Sequence, residues 1–341
     1  MWSSSRAASL AALIATFLMV GCGGESESAV AAPAVPTVAV SPWDSIPRDS
    51  LYGATASEII RTVPVELEVM GLAEGWDSVS IAAISDFQLG LWEDNAEVAA
   101  AAVRQALSTD PDLVVLLGDY IARGSDTEEL RRVLAPLSGR TTVAVLGDRD
   151  IRTDSLEANI VRTLRSLGIR VLRNEKASFI RDGDTLSVVG LAADIASESF
   201  ADREWILATL AGGERTPLLL SHLPGAVVGA PEGGFPGILA GGTLCSDVEV
   251  PGTPRLSWLN SEVLPNALVE GQNRLYLLEG NALFVTCGVG YSFIPVRLGH
   301  PPEVVLLTLH RAAAPAEEAE SDSVARDSLL RQFELQDTTG N

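Results

Sequence analysis

Three short apolar runs, each broken off by an acid, constrain what this chain can fold into. Ile81 to Gly90 reads Ile-Ala-Ala-Ile-Ser-Asp-Phe-Gln-Leu-Gly and ends in the carboxylate of Asp86 and the carboxamide of Gln88. Leu113 to Tyr120 delivers Asp119, and Thr142 to Asp150 delivers Asp148, Arg149 and Asp150. Runs this short, without alternation, read as buried parallel strands, and sheets of that kind bind ligands beyond their carboxyl ends. Three such ends carrying acids predict one acidic cleft, and the functional question becomes which cation it holds.

The stretches between these runs are helical in pattern. Asp94 to Leu107 spaces alanine and valine at helical intervals, with Asp94 or Asn95 as cap and Thr109-Asp110-Pro111 as stop. Thr127 to Leu137 and Asp154 to Leu167 repeat the theme ahead of the strands at Thr142 and at Ile169 to Leu172. The resulting alternation of strand and helix predicts an α/β domain. Val63 to Val69 precedes it as an edge strand, because Pro64 cannot donate to a ladder.

The second half changes character. Ala177 to Ile180 and Thr185 to Val189 flank Arg181-Asp182-Gly183-Asp184, a hairpin signal, and a helix is expected over Ser199 to Leu210. Thr216 to Ser221 is another buried strand and delivers His222. Gly237 to Gly241, a second hairpin from Arg274 to Thr286, and a last strand from Glu303 to Leu309 follow. These mixed strands fit a second sheet packed on the first.

Outside this core the chain has a different composition. Arg6 followed by the apolar run Leu10 to Val20 has the anatomy of an export signal, too short for an ordinary membrane span. It ends in Met19-Val20-Gly21-Cys22, which resembles the lipobox of bacterial lipoproteins; a plain secretory signal or an uncleaved anchor is the other reading. The expected division is 1–22 signal and lipobox, 23–57 a proline-bearing tether, 58–311 the folded domain, and 312–341 an acidic tail. A formal net charge of −21 disfavours nucleic acid and anionic membrane surfaces as partners. Membrane association is expected through a lipid on Cys22, which places the protein in the bacterial cell envelope. Cys245 and Cys287 remain as an even pair, whose spacing alone does not decide between a disulfide and free thiols.

The motifs resemble those of the calcineurin-like metallophosphoesterases. In that family, successive strands end in Ser-Asp-x-His, Gly-Asp, Gly-Asn-His-Asp, a histidine, and Gly-His-Thr-His-Gly-Gly. Here the same places hold Ser85-Asp86-Phe87-Gln88, Gly118-Asp119, Gly147-Asp148-Arg149-Asp150, Ser221-His222 and Gly241-Gly242-Thr243-Leu244-Cys245-Ser246. The late segments Gly288-Val289-Gly290-Tyr291-Ser292, Pro295-Val296-Arg297 and Pro301-Pro302-Glu303 resemble a membrane-associated branch that includes lipid-precursor phosphohydrolases. The resemblance implies a four-layer α/β/β/α sandwich with a metal site at the strand ends. It also places the strands before Cys245 and Cys287 near each other, which implies a disulfide between them.

Against that pattern the site is pared down. Two-metal hydrolysis needs carboxylates and imidazoles that clamp two cations, and this chain has three histidines in all, His222, His300 and His310. Gln88 replaces one expected imidazole, as a weak ligand or a polar filler, and Gly242 and Leu244, which cannot ligate, stand in place of two others. The resemblance implies metal ligation by Asp86, Asp119, Asp148 and His222. Of these, Asp86 and Asp119 are what is left of the first metal position, while Asp119, Asp148 and His222 can still meet at the second; one Mn, Zn or Mg ion suits those three, whereas a full two-metal centre is not expected. His222 is read equally as a ligand and as a hydrogen-bonded relic, and His300 as a cleft or a surface residue.

Arg149 and Asp150 stand at the family's catalytic positions. Arg149 stays protonated near neutral pH and is a poor proton donor. It either grips a phosphate or carboxylate, or pairs with Asp86, Asp119 or Asp150 in place of a missing cation. Three functions follow: a weak or non-catalytic domain that binds a ligand or partner, a hydrolase working on one metal, or a structural lipoprotein with an idle cleft. The ligand class the resemblance implies is a phosphorylated small molecule or a lipid precursor.

Overall fold

The computed structural model describes residues 59–212, 218–245, 268–270, 275–292, 297 and 300–312. The expected signal, the tether, Cys22 and the tail beyond 312 lie outside these residues. Within them, no helix is long and apolar enough to cross a membrane.

Two mixed sheets form the centre. The first holds β1 (Arg61–Val69), β2 (Val79–Ile84), β3 (Leu113–Leu116), β4 (Thr142–Ala144), β5 (Arg170–Val171) and β13 (Glu303–Arg311), in the order β1-β13-β2-β3-β4-β5. The second contains β6 (Glu175–Arg181), β7 (Asp184–Gly190), β8 (Leu218–Ser221), β9 (Gly237–Ala240), β10 (Leu268–Glu270), β11 (Leu275–Leu278) and β12 (Asn281–Val285), in the order β10-β11-β12-β9-β8-β7-β6. Among the described residues the longer helices are α1 (Asp94–Ser108), α2 (Glu128–Leu134), α3 (Asp154–Ser166) and α4 (Phe200–Ala211).

Alternation along each strand sorts the side chains into layers. On β2, Ala82 and Ile84 pack with Val98, Ala102 and Val103 of α1, while Ile81 and Ala83 point the other way, toward Leu218, Leu220 and Leu239 of the second sheet. Val189, Leu219 and Ile238 on the far face of that second sheet pack with Leu207 and Ala211 of α4. The architecture is therefore the four-layer α/β/β/α sandwich expected from the motifs. Alanines on the buried face of α1 suit it twice, since they favour helix and let the helix lie close to the sheet.

Two expectations change. The last strand, β13, does not join the second sheet; it enters the first between β1 and β2, parallel to one and antiparallel to the other. Val304 faces the helices and Val305, Leu307 and Leu309 face the second sheet, so its apolar residues are buried on both sides. Asn95 is not a cap for α1, which begins after Glu93 without a side-chain cap. Asn95 is instead buried, with a task at the site described below. By contrast Thr153 and Ser199 do cap α3 and α4, accepting hydrogen bonds from the Leu156 and Asp202 amides.

The register puts β2, β3 and β4 parallel, with their carboxyl ends together, and β7, β8 and β9 parallel in the other sheet. The loops after β2, β3, β4, β8, β9 and β12 close on one another at that edge.

Candidate metal centre

Asp86 leaves β2 on a backbone that an L residue rarely adopts. Asp86, Gln88 and Asp119 all lie in the left-handed region, with φ of 58°, 53° and 56°. The loops hold one another there: the Asp86 amide donates to Gly118 O (3.0 Å), Gln88 to Asp119 O (2.9 Å) and Leu89 to Tyr120 O (3.0 Å). Asn95 adds a cross-brace, donating to Gln88 O (2.8 Å) and Tyr291 O (3.1 Å) and accepting from the Tyr291 amide (2.8 Å). Sequence reasoning missed this role; the signal was an asparagine in an otherwise alanine-rich helix face.

Asp150 organises the same corner. Its Oδ2 accepts from the amides of Asp119 (2.9 Å) and Gly147 (2.8 Å), and its Oδ1 from those of Tyr120 (2.9 Å) and Ile121 (3.2 Å). Burial and the Asp119 charge push its carboxyl up to about 7, against the pull of these donors. Expected among the catalytic residues, Asp150 thus has both oxygens engaged by backbone amides and touches the cleft only through the loops it pins.

Asp119 stands at the centre. Its Oδ2 accepts from the Gln88 amide (2.8 Å) and lies 3.2 Å from Arg149 Nε; its Oδ1 accepts from the Arg149 backbone amide (3.1 Å) and lies 3.4 Å from His222 Nε2. A Cβ at Gly147 would strike this carboxylate, so glycine is required there. Of the partners foreseen for Arg149, Asp119 is one that it pairs with. His222 is buried, and its Nδ1 is 2.7 Å from Leu117 O, which can only accept, so Nδ1 carries the proton. Nε2 then faces Asp119 and, at 3.3 Å, Asp148 Oδ1.

Burial alone would lower the His222 pKa, but the Asp119 charge, the Asp148 carboxylate and Asp86 outweigh it and raise it to about 10. The His222 hydrogen bond, ahead of the opposing effect of burial, holds Asp148 below the usual carboxylate range. Asp86 moves the other way: burial raises it, with Asp119 adding to the rise, against His222, the Ser85 hydroxyl (2.6 Å) and the Gly242 amide (3.1 Å). Gly242, which cannot ligate, still serves Asp86 through its N–H.

Asp119 already accepts from the Gln88 side chain and the Arg149 backbone amide and lies beside Arg149 Nε, and positions 242 and 244 offer no side-chain ligand atom. Three buried side chains, Asp119 among them, form a candidate metal site. Asp86 Oδ1 and Gln88 Oε1 are buried acceptors without a hydrogen-bond partner, and His222 Nε2, which faces the carboxylates of Asp148 and Asp119 at 3.3 and 3.4 Å, can accept once it gives up its proton. Ligand atoms of Asp86, Asp119 and His222 lie within 4.8 Å of one another. Asp148 reaches His222 from the exposed side and stands outside that trio. With a proton on His222 the cluster is neutralised by two protein cations, Arg149 and His222; a divalent ion would take the place of that proton.

The other histidines lie elsewhere. His300 is half-buried beside Cys245 and Cys287, its ligand atom within 4.8 Å of theirs, and His310 pairs with Glu66 at the end of β13. Cys245 and Cys287 form the disulfide that the resemblance implied, with Cα atoms 4.8 Å apart.

No curated protein matches this chain. Solved structures with similarity include phosphopantetheinyl hydrolase PptH from Mycobacterium tuberculosis, at 13% identity over 63% of this chain and 91% of that one, with a TM-score of 0.36. TT1561 of Thermus thermophilus shares 16% over 48% of this chain and 82% of its own (TM-score 0.35). A novel archaeal phosphodiesterase shares 9% over 62% and 84% (TM-score 0.30). Likenesses this distant carry no weight for the chemistry. The family model for calcineurin-like phosphoesterases matches residues 79–225, the span from β2 through His222, and this stretch is similar to that family's domain.

Proposed function

We propose that the protein is an envelope lipoprotein, anchored through Cys22, whose phosphoesterase domain has lost two-metal hydrolysis and works as a weak or non-catalytic binding module. Its cleft takes one divalent cation on Asp86, Asp119 and His222, with a phosphorylated small molecule or lipid precursor as the ligand class. The observation that carries this reading is the engagement of Asp119. A carboxylate that accepts from the Gln88 side chain at 2.8 Å and from the Arg149 amide at 3.1 Å, and pairs with Arg149 Nε at 3.2 Å, has little left to share between two ions. Arg149, held there with its charge fixed, is a poor substitute for a group that must give a proton to a leaving oxygen.

The orphaned acceptor Asp86 Oδ1, with the His222 imidazole beside it, favours a second reading, hydrolysis with one ion. A single bound cation would polarise a phosphoryl oxygen. Metal analysis of the purified chain, combined with turnover of a generic phosphodiester and phosphomonoester in added manganese, separates the two. The binding-module reading expects one ion per chain at most and no turnover beyond that of the Asp119→Ala variant. Stoichiometric metal together with turnover abolished by Asp119→Ala establishes the hydrolase instead.

A further inference from the structure

The disulfide joins two loops that touch Asp86, and the contacts of those loops give it a task. Two loops wrap Asp86 from the side of the second sheet. The first follows β9: the Gly241 amide donates to His222 O (3.0 Å) and the Gly242 amide to Asp86 Oδ2 (3.1 Å). The second follows β12: the Val289 amide donates to Ser85 O (2.9 Å) and the Gly290 amide to Asp86 O (2.7 Å). Both are pressed against the acid. A Cβ at Gly288 would lie 2.6 Å from Asp86 Cβ, and one at Gly290 would lie 2.6 Å from Asp86 O. Cys245 ends the described part of the first loop and Cys287 begins the second, and their bond joins the two.

The first loop is not in a conformation it would keep by itself. Leu244 and Cys245 stand in the left-handed region, with φ of 47° and 50°, where L residues stay only when surrounding structure holds them. At the foot of the second loop Glu303 accepts from Thr286 Oγ1 (2.9 Å) and the Cys287 amide (2.8 Å), so this side is fixed from within the domain. The bond therefore ties a strained loop to an anchored one, and both loops touch Asp86.

We infer that Cys245 and Cys287 are positioning residues of the cation site, their disulfide holding the two glycine loops in the arrangement that presents Asp86. The inference rests on the one-cation reading above. Reduction by a dithiol such as dithiothreitol passes two electrons and two protons to the S–S bond, leaves two thiols, and converts the reductant to its own cyclic disulfide. The Gly242 loop is then free to relax, and Asp86 loses the N–H that holds Oδ2. Outer contacts of this kind change metal affinity by roughly ten- to a hundredfold.

The test compares the oxidised full chain, the reduced chain and the Cys245→Ser/Cys287→Ser variant, by calorimetric titration with Mn²⁺ and by amide hydrogen exchange. Affinity should fall at least about tenfold in the latter two, with faster exchange at Gly242, Val289 and Gly290 and unchanged protection in β3 and β8. Reoxidation should restore both readouts. Equal affinity with and without the disulfide overturns the inference, as does a loss that only follows general loss of protection across the domain. If the oxidised chain binds no Mn²⁺, the cation reading itself fails, and exchange at the three glycine-loop amides alone decides whether the disulfide orders the loops around Asp86.

Discussion

Two buried carboxylates a few residues from the same cleft are treated in opposite ways. Around Asp150 every oxygen is used: four backbone amides, from Gly147 and from Asp119 to Ile121, converge on it. Around Asp86 one oxygen is held by Ser85 and Gly242 and the other has no partner. Burial is equal, since both residues are almost wholly inside, so accessibility does not explain the difference. Asp150 belongs to the fold, where an unsatisfied group would be costly. Asp86 is left with open acceptor capacity beside Asp119 and His222, whose ligand atoms lie within 4.8 Å of its own, and a fold keeps such an opening where it is used.

The largest effect should come from the satisfied acid. Asp150→Ala strands four amides and is expected to cost roughly 3–5 kcal/mol in urea unfolding, with Asp150→Asn intermediate. A loss near 1 kcal/mol would mean that water or a shifted loop replaces those bonds, and the contrast with Asp86 would collapse.

The next effect follows from the proton on His222. Its folded pKa, about 10, lies above the ordinary value of 6.5. A raised pKa contributes stability that is fully present below 6.5 and is lost as pH rises through about 10. Urea unfolding without divalent cations should therefore show declining stability from pH 6.5 to 10, and His222→Gln should flatten that slope. Added Mn²⁺ should restore stability at the alkaline end, by taking the place of the departing proton. A flat profile in the parent chain would mean that His222 is neutral in the folded state.

Arg149→Met should have a smaller effect on stability, about 1 kcal/mol, because the ion pair is partly exposed and Gln88 and the residue-149 amide still serve Asp119. Removing the fixed charge should tighten Mn²⁺ binding in the same titration. Weaker binding would show that Arg149 helps to hold the cleft open rather than standing in for an ion.

Much of this was legible in the sequence because burial of strands leaves a plain mark. Ile81 to Ile84, Leu113 to Leu116 and Leu218 to Ser221 are short apolar runs that can only be central strands, and their terminal residues Asp86, Asp119 and His222 do meet. What stayed hidden depends on partners distant along the chain. Residue type does not reveal that Gln88 turns its amide toward Asp119, that Asn95 braces two loops rather than capping a helix, or that Gly242 serves through its backbone. The β13 strand misled for a similar reason, since position late in the chain says little about which sheet has a gap to fill.

The smallest change in stability should accompany the largest change in binding. Asp86→Asn keeps an oxygen for Ser85 and Gly242 and removes a buried charge whose other oxygen has no partner. Stability should stay within about 1 kcal/mol of the parent and can rise, the usual result when an open functional group is closed. Mn²⁺ binding should disappear, because the remaining neutral amide is a weak ligand for a hard cation. If the variant instead unfolds as readily as Asp150→Ala, Asp86 is a structural acid like its neighbour, and the cleft has no cation site to explain.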